Sequence, residues 1–238
     1  MSMLRQIVLD TETTGLDPAQ GHRVIEVGCV ELVGRKLTGR RFHTYINPER
    51  LIDDGAMQVH GITNERVAGE PVFAKIVDEL VGFIRGGELV IHNAAFDVGF
   101  LDAEFGLLGL GKVAELCENV VDTLKLAREM RPGKRNSLDA LCRDFGVDNS
   151  GRQLHGALLD AELLAEVYLA MTRGQDSLMM ELDAPAAVAA AVPVGERPAL
   201  KVLRATAEEL ADHERVLGEI GKESKGKCLW LAEPSGAA

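Results

Sequence analysis

The chain has no long hydrophobic run. Nowhere in its 238 residues do about eighteen apolar residues follow one another, so no membrane-spanning helix is expected. The opening Met-Ser-Met-Leu-Arg-Gln lacks the anatomy of a secretory leader. Cysteine is scarce and scattered: Cys29, Cys117, Cys142 and Cys228 form no Cys-x-x-Cys pair. That excludes a recognisable zinc site or disulfide frame and suits reduced thiols in the cytoplasm. Aromatic residues make up only 4%, with a single tryptophan. Positive charge is also short, at 26 Lys and Arg against 37 Asp and Glu, a formal net charge of −11. Bulk electrostatic gripping of nucleic acid is therefore disfavoured, because phosphate contacts need cations. A local basic groove remains open, as does delivery to nucleic acid by a partner. There are no internal repeats.

What is present begins with Asp10-Thr11-Glu12-Thr13-Thr14-Gly15. It follows Leu4 to Leu9, an apolar-rich run that reads as a strand, and so is expected at that strand's end. Alternation along a strand points Asp10 and Glu12 the same way. Two adjacent carboxylates repel unless a cation lies between them, and a hard cation such as Mg²⁺ takes oxygen ligands. Gly15 permits a turn and close ligand approach.

Residues 23–33 and 37–46 predict second and third strands in an antiparallel meander. Residues 53–85 read as several short helices, the longest opened by Pro71. Glu88 to His92 predicts a buried strand parallel to the first, with His92 structural. Asn93 then caps a helix from Ala94 to Leu108, with Asp97 in its first turn. Asn119 to Asp122 predicts a last strand; 122–130 and 137–145 predict helices. Between those helices, residues 128–135 form the most basic window, a candidate phosphate contact. His155 and Asp160 open a final helix. Five residues turn a helix by about 500°, so the two cannot share a face, and His155 is expected on the preceding loop.

The chain reads as three regions: 1–174 globular, 175–198 a linker, and 199–238 a tail. In the tail, Thr206 to Glu209 is a capping box, and Leu210, His213, Leu217 and Ile220 form a stripe. About forty residues cannot build their own core, so this stripe and Trp230 suggest a partner surface.

Four carboxylates and a histidine thus fall in line: Asp10, Glu12, Asp97, Asp160 and His155. Two divalent ions about 4 Å apart can activate a water and stabilise a leaving oxygen in phosphoryl transfer, given several carboxylates and a base. The three motifs, Asp10 to Gly15, His92 to Asp97 and His155 to Asp160, resemble in order and spacing those of the DEDD exonucleases with a histidine in the third motif. Val59 to Thr63, Pro132 to Leu141 and Cys228-Leu229-Trp230 resemble more closely the epsilon-subunit family that proofreads for bacterial DNA polymerase III.

The resemblance implies an α/β fold, a ribonuclease H-like mixed five-stranded sheet flanked by helices. It also implies 3′→5′ excision of mispaired DNA termini with two Mg²⁺ or Mn²⁺ ions. By motif match Asp10, Glu12, Asp97 and Asp160 are metal ligands and His155 the general base. Thr13, Thr14, Gly15, His60 and Phe96 would lie near the 3′-terminal nucleotide. Gln175, Leu178 and Met179 fall in a stretch resembling the sliding-clamp motif. Leu210, Leu217, Ile220 and Trp230 would anchor the polymerase alpha subunit, and a small theta-like subunit is a further partner the resemblance allows. Two other readings stay open: an RNA-trimming exonuclease of the same superfamily, and a structural polymerase subunit with a dead site. The clamp-like stretch and long tail argue against the first, and the complete constellation against the second.

Overall fold

A computed structural model describes residues 4–152, 154–173, 205–224 and 230. They fall into two units, residues 1–184 and 185–238.

The first unit is built on a five-stranded sheet of order β3-β2-β1-β4-β5. β1 (Arg5–Thr13), β2 (Val24–Val33) and β3 (Lys36–Tyr45) form the expected antiparallel meander. β4 (Glu88–Ile91) lies parallel to β1, and β5 (Asn119–Asp122) parallel to β4. Ile7, Val8 and Leu9 are all fully buried, because helices cover both faces of the sheet. Ile7, Leu9, Leu89 and Ile91 pack on one side with Phe73, Leu80, Phe100 and Phe105. Val8 and Val90 pack on the other with Leu141, Leu164 and Val167. This alternation is the period of two expected of strands.

Residues 54–84 supply three helices, α1 (Asp54–His60), α2 (Asn64–Val67) and α3 (Phe73–Ile84). α4 (Ala94–Leu107) follows β4, and α5 (Val113–Leu116) precedes β5. α6 (Thr123–Met130) is capped by Asp122, whose carboxylate accepts from Leu124 and Lys125. α7 (Leu138–Phe145) is capped by Ser137, as its sequence indicates. α8 (Ala157–Met171) crosses β2 at Gly28, where a Cβ would lie 2.3 Å from the backbone of Ala157 and Leu158. Only glycine permits that approach. Glu26 Oε2 accepts from Ala157 N at 3.1 Å, fixing the start of α8 to β2.

Two expectations need correction. The Asp10-to-Thr13 motif lies inside β1, not beyond its end, because its backbone stays paired with β2 as far as Val24. Asn93 occupies the cap position of α4 with φ +66° and makes no side-chain cap bond. A left-handed residue there turns the chain from β4 into α4, a conformation asparagine tolerates.

In the second unit the described helix, Ala207–Glu223, carries the expected capping box between Thr206 and Glu209. Leu210 and Ile220 on it are exposed, Leu217 is half-buried and Trp230 is exposed. Gln175, Leu178 and Met179 lie outside the described residues. No helix among the described residues is long and apolar enough to cross a membrane.

Candidate active site

Three elements bring the carboxylates together. β1 supplies Asp10 and Glu12, and the first turns of α4 and α8 supply Asp97 and Asp160. All face a cleft of about 890 Å³, which His155 also lines. Asp97 is bound to β1 directly: its Oδ1 accepts from Thr11 N at 3.0 Å and from Thr11 Oγ1 at 2.7 Å. That anchoring, more than the helix dipole, fixes it.

The electrostatics are those of crowded, buried acids. Burial pushes Glu12 up to about 8, with Glu26, Asp160 and Asp97 adding to the rise. Burial raises Asp97 to about 7 despite the hydrogen bonds from Thr11. Burial, then the charges of Asp97, Glu12 and Asp160, holds Asp10 well above the carboxylate range. Asp160 differs. Burial pushes it up, but hydrogen bonds from His155 and Arg152 outweigh this and leave it lowered.

Glu12, His155 and Asp160 present donor atoms all within 4.8 Å of one another. Asp10 and Asp97 are not in that tightest set, although their charges reach it. Oxygen donors crowded until they retain protons are the environment a hard divalent cation relieves. The residues present therefore fit such an ion.

His155 precedes α8, as its spacing requires, and its N–H donates to Val59 O at 3.3 Å. Its Nδ1 is 3.3 Å from Asp160 Oδ2. The ring is half exposed to the cleft, the position a base needs to meet solvent and substrate.

The expected substrate contacts divide. A second pocket of about 420 Å³ adjoins Glu12 and is lined by Thr13, Gly15, His60 and Phe96. His60 is buried, and its Nδ1 accepts from Ile62 N at 3.0 Å. The other ring nitrogen, Nε2, is buried without a hydrogen-bond partner among the described residues. Burial lowers the imidazole's pKa, which favours a neutral ring with its proton on Nε2. Thr14 stands apart from the other four. It is fully buried and lines neither cavity, because its Oγ1 is spent on His22 Nδ1 and Arg23 N. The basic window divides as well. Arg128 and Lys134 line the cleft, whereas Arg131 pairs with Asp144. His92 is tied to Thr123 Oγ1 at 2.9 Å, as a structural histidine would be.

Sequence reasoning missed Arg152. Its side chain is 6% exposed, and it joins Asp160, Asp139 and His155 in one network. A lone arginine three residues before His155 was the only signal, in a polar loop that reads as solvent-facing.

Residues 7–168 match the family described as RNase_T, Exonuclease. The DNA polymerase III subunit epsilon of Salmonella typhimurium is 51% identical over 97% of this chain and 99% of its own length. That of Escherichia coli is 50% identical over 97% and 99%. Among solved structures, Exonuclease X in complex with 5′ overhanging duplex DNA matches with TM-score 0.57, at 24% identity, over 72% of this chain and 93% of its own. The nuclease domain of 3′hExo, a DEDDh family member bound to rAMP, matches with TM-score 0.62, at 21% identity, over 72% and 93%. These structural likenesses speak to the fold.

Proposed function

Because the chain belongs to the epsilon-subunit family of DNA polymerase III exonucleases, it is a metal-dependent 3′–5′ exonuclease with a proofreading role, and we propose how its residues divide that work. Asp10, Glu12, Asp97 and Asp160 hold two divalent ions, Mg²⁺ or Mn²⁺, and His155 is the general base. The observation that carries this is the convergence of four carboxylates from three elements on one cleft, three of them raised chiefly by burial.

When bound, the ions supply charge to the scissile phosphate and its leaving oxygen. The chain supplies the rest. His155 takes the proton of the attacking water, held at the cleft edge by Asp160 and the Val59 carbonyl. The second pocket takes the terminal nucleotide, with Phe96 beneath it and His60 Nε2–H offered to an acceptor. Thr14 supports that pocket from behind by holding His22. Arg128 and Lys134 face the backbone phosphates.

The partners follow the same reading. The substrate is a frayed or single-stranded DNA 3′ end. Residues 175–198 form a linker whose Gln175, Leu178 and Met179 engage the sliding clamp. Leu210, Leu217, Ile220 and Trp230 engage the alpha subunit, a theta-like subunit is a further partner, and the setting is the cytoplasmic replisome.

The test is Asp10→Ala with Glu12→Ala, assayed on 3′-mispaired DNA at saturating Mg²⁺. Excision should vanish while the circular dichroism spectrum stays native. Full activity would sink the assignment of the site.

A further inference from the structure

The carboxylate cluster already contains a cation. Arg152 bonds both oxygens of Asp160, Nε to Oδ1 at 2.5 Å and one terminal nitrogen to Oδ2 at 2.6 Å. The other terminal nitrogen reaches Asp139 Oδ1 at 2.6 Å. Asp160 is buried at 3%, whereas the Asp139 side chain is 57% exposed. The guanidinium therefore spans one carboxylate inside the cluster and one at its rim.

Asp160 is also in the set whose donor atoms lie within 4.8 Å of one another. A carboxylate engaged through both oxygens by a guanidinium fork is a weakened ligand for a second cation. Two cations on one buried carboxylate also repel strongly in a low-dielectric site. Something must yield when a divalent ion arrives, and the second anchor shows where the arginine can go.

We propose that Arg152 is a built-in counter-ion that occupies Asp160 in the metal-free protein, competes with the divalent ion for it, and withdraws onto Asp139 when the ion binds. This rests on the metal-site reading above. Metal binding is then an exchange of one cation for another. The metal-free site keeps Asp160 ionised, and it keeps the His155 loop in place, since the same guanidinium nitrogen lies 2.8 Å from His155 Nδ1. Arg152 is a positioning residue in this account, acting through Asp160.

The test measures Mn²⁺ binding to the full chain without DNA, by the electron-spin-resonance signal of free Mn²⁺. Arg152→Gln should tighten binding roughly tenfold, about 1.4 kcal/mol. Arg152→Lys, which keeps the charge but not the fork, should fall between Arg152→Gln and the parent. Asp139→Asn removes the rim anchor and should weaken binding, and that weakening should disappear in the Arg152→Gln background. Arg152→Gln binding Mn²⁺ no tighter than the parent would overturn the proposal. So would an Asp139→Asn effect that persists without Arg152. Should Arg152→Gln not fold, Asp139→Asn alone decides, and an unchanged Mn²⁺ affinity overturns the idea. Asp10→Ala with Glu12→Ala is the control. If it binds Mn²⁺ as the parent does, the metal-site reading itself fails, and this proposal with it.

Discussion

Gly28→Ala tests whether the close crossing of α8 over β2 sets the active-site geometry. An alanine Cβ at Gly28 would lie 2.3 Å from Ala157 C and Leu158 N and 2.4 Å from Ala157 O. Those are backbone atoms, so no rotamer change relieves the clash. Ordinary contact begins near 3.4 Å, so the start of α8 must move by about 1 Å. Overpacking of this kind costs ~2 kcal/mol, within a usual range of about 1–3. For a unit of this size that lowers the melting midpoint by about 6 °C. The moving segment carries Asp160 and adjoins His155, and a misplacement of ~1 Å costs on the order of 10²-fold in rate. Thermal unfolding beside single-turnover excision on a mispaired primer reads both effects. Gly82→Ala is the control. Gly82 sits in α3 with nothing within 4 Å of its added Cβ, and alanine there should stabilise by up to ~1 kcal/mol at unchanged rate. If Gly28→Ala melts and turns over like the parent, α8 is not held by this contact and the reasoning is refuted.

His155→Ala should lower kcat by roughly 10²–10⁴-fold in single-turnover excision; an unchanged rate would mean that another group serves as the base. Without metal, Asp10, Glu12 and Asp97 hold protons more tightly folded than unfolded. The folded state therefore binds more protons from about pH 4 upward, and stability should fall as pH rises through about 8. Saturating Mg²⁺ should flatten that slope, and a metal-free melting midpoint that climbs over this window would contradict it. Removing residues beyond 184 should spare turnover on free oligonucleotide but abolish co-purification with the polymerase alpha subunit. Trp230→Ala should weaken that association by about 2 kcal/mol in a pull-down titration.

The sheet was legible because its signals are local. Strand alternation, the Ser137 cap and the tight link between β2 and β3 each lie within a few residues, and all formed as expected. Asp10 and Glu12 were legible as a same-face pair by strand alternation, and Asp97 and Asp160 as first-turn residues of helices, although the strand runs on through the first pair. What escaped depends on contacts across long separations. Gly28 inside a strand hints at a close backbone approach, but nothing local says that α8, 129 residues on, is what approaches. Arg152 looks like any polar-loop arginine until Asp139 and Asp160 close around it. Thr14 belongs to a motif that points at substrate, yet His22 claims its hydroxyl.

Two kinds of buried carboxylate coexist in this fold, and they answer to opposite rules. Glu104 is buried and takes a two-pronged bond from Arg23, both arms at 2.7 Å, plus Val24 N at 3.1 Å. Removing it strands a guanidinium and a backbone donor, so Glu104→Ala should destabilise the fold. Among the described residues Glu12 has no such dedicated partner, and burial together with neighbouring acids raises it to about 8. Deleting Asp10 and Glu12 relieves that crowding, so the double alanine variant should melt at or above the parent's midpoint when metal is absent. With Mg²⁺ the order should reverse, because only the parent gains binding energy from the ion. The same crowding that costs the metal-free protein stability gives the site its affinity for a cation. A carboxylate whose loss destabilises with and without metal is scaffold, and one whose effect changes sign with metal belongs to the site.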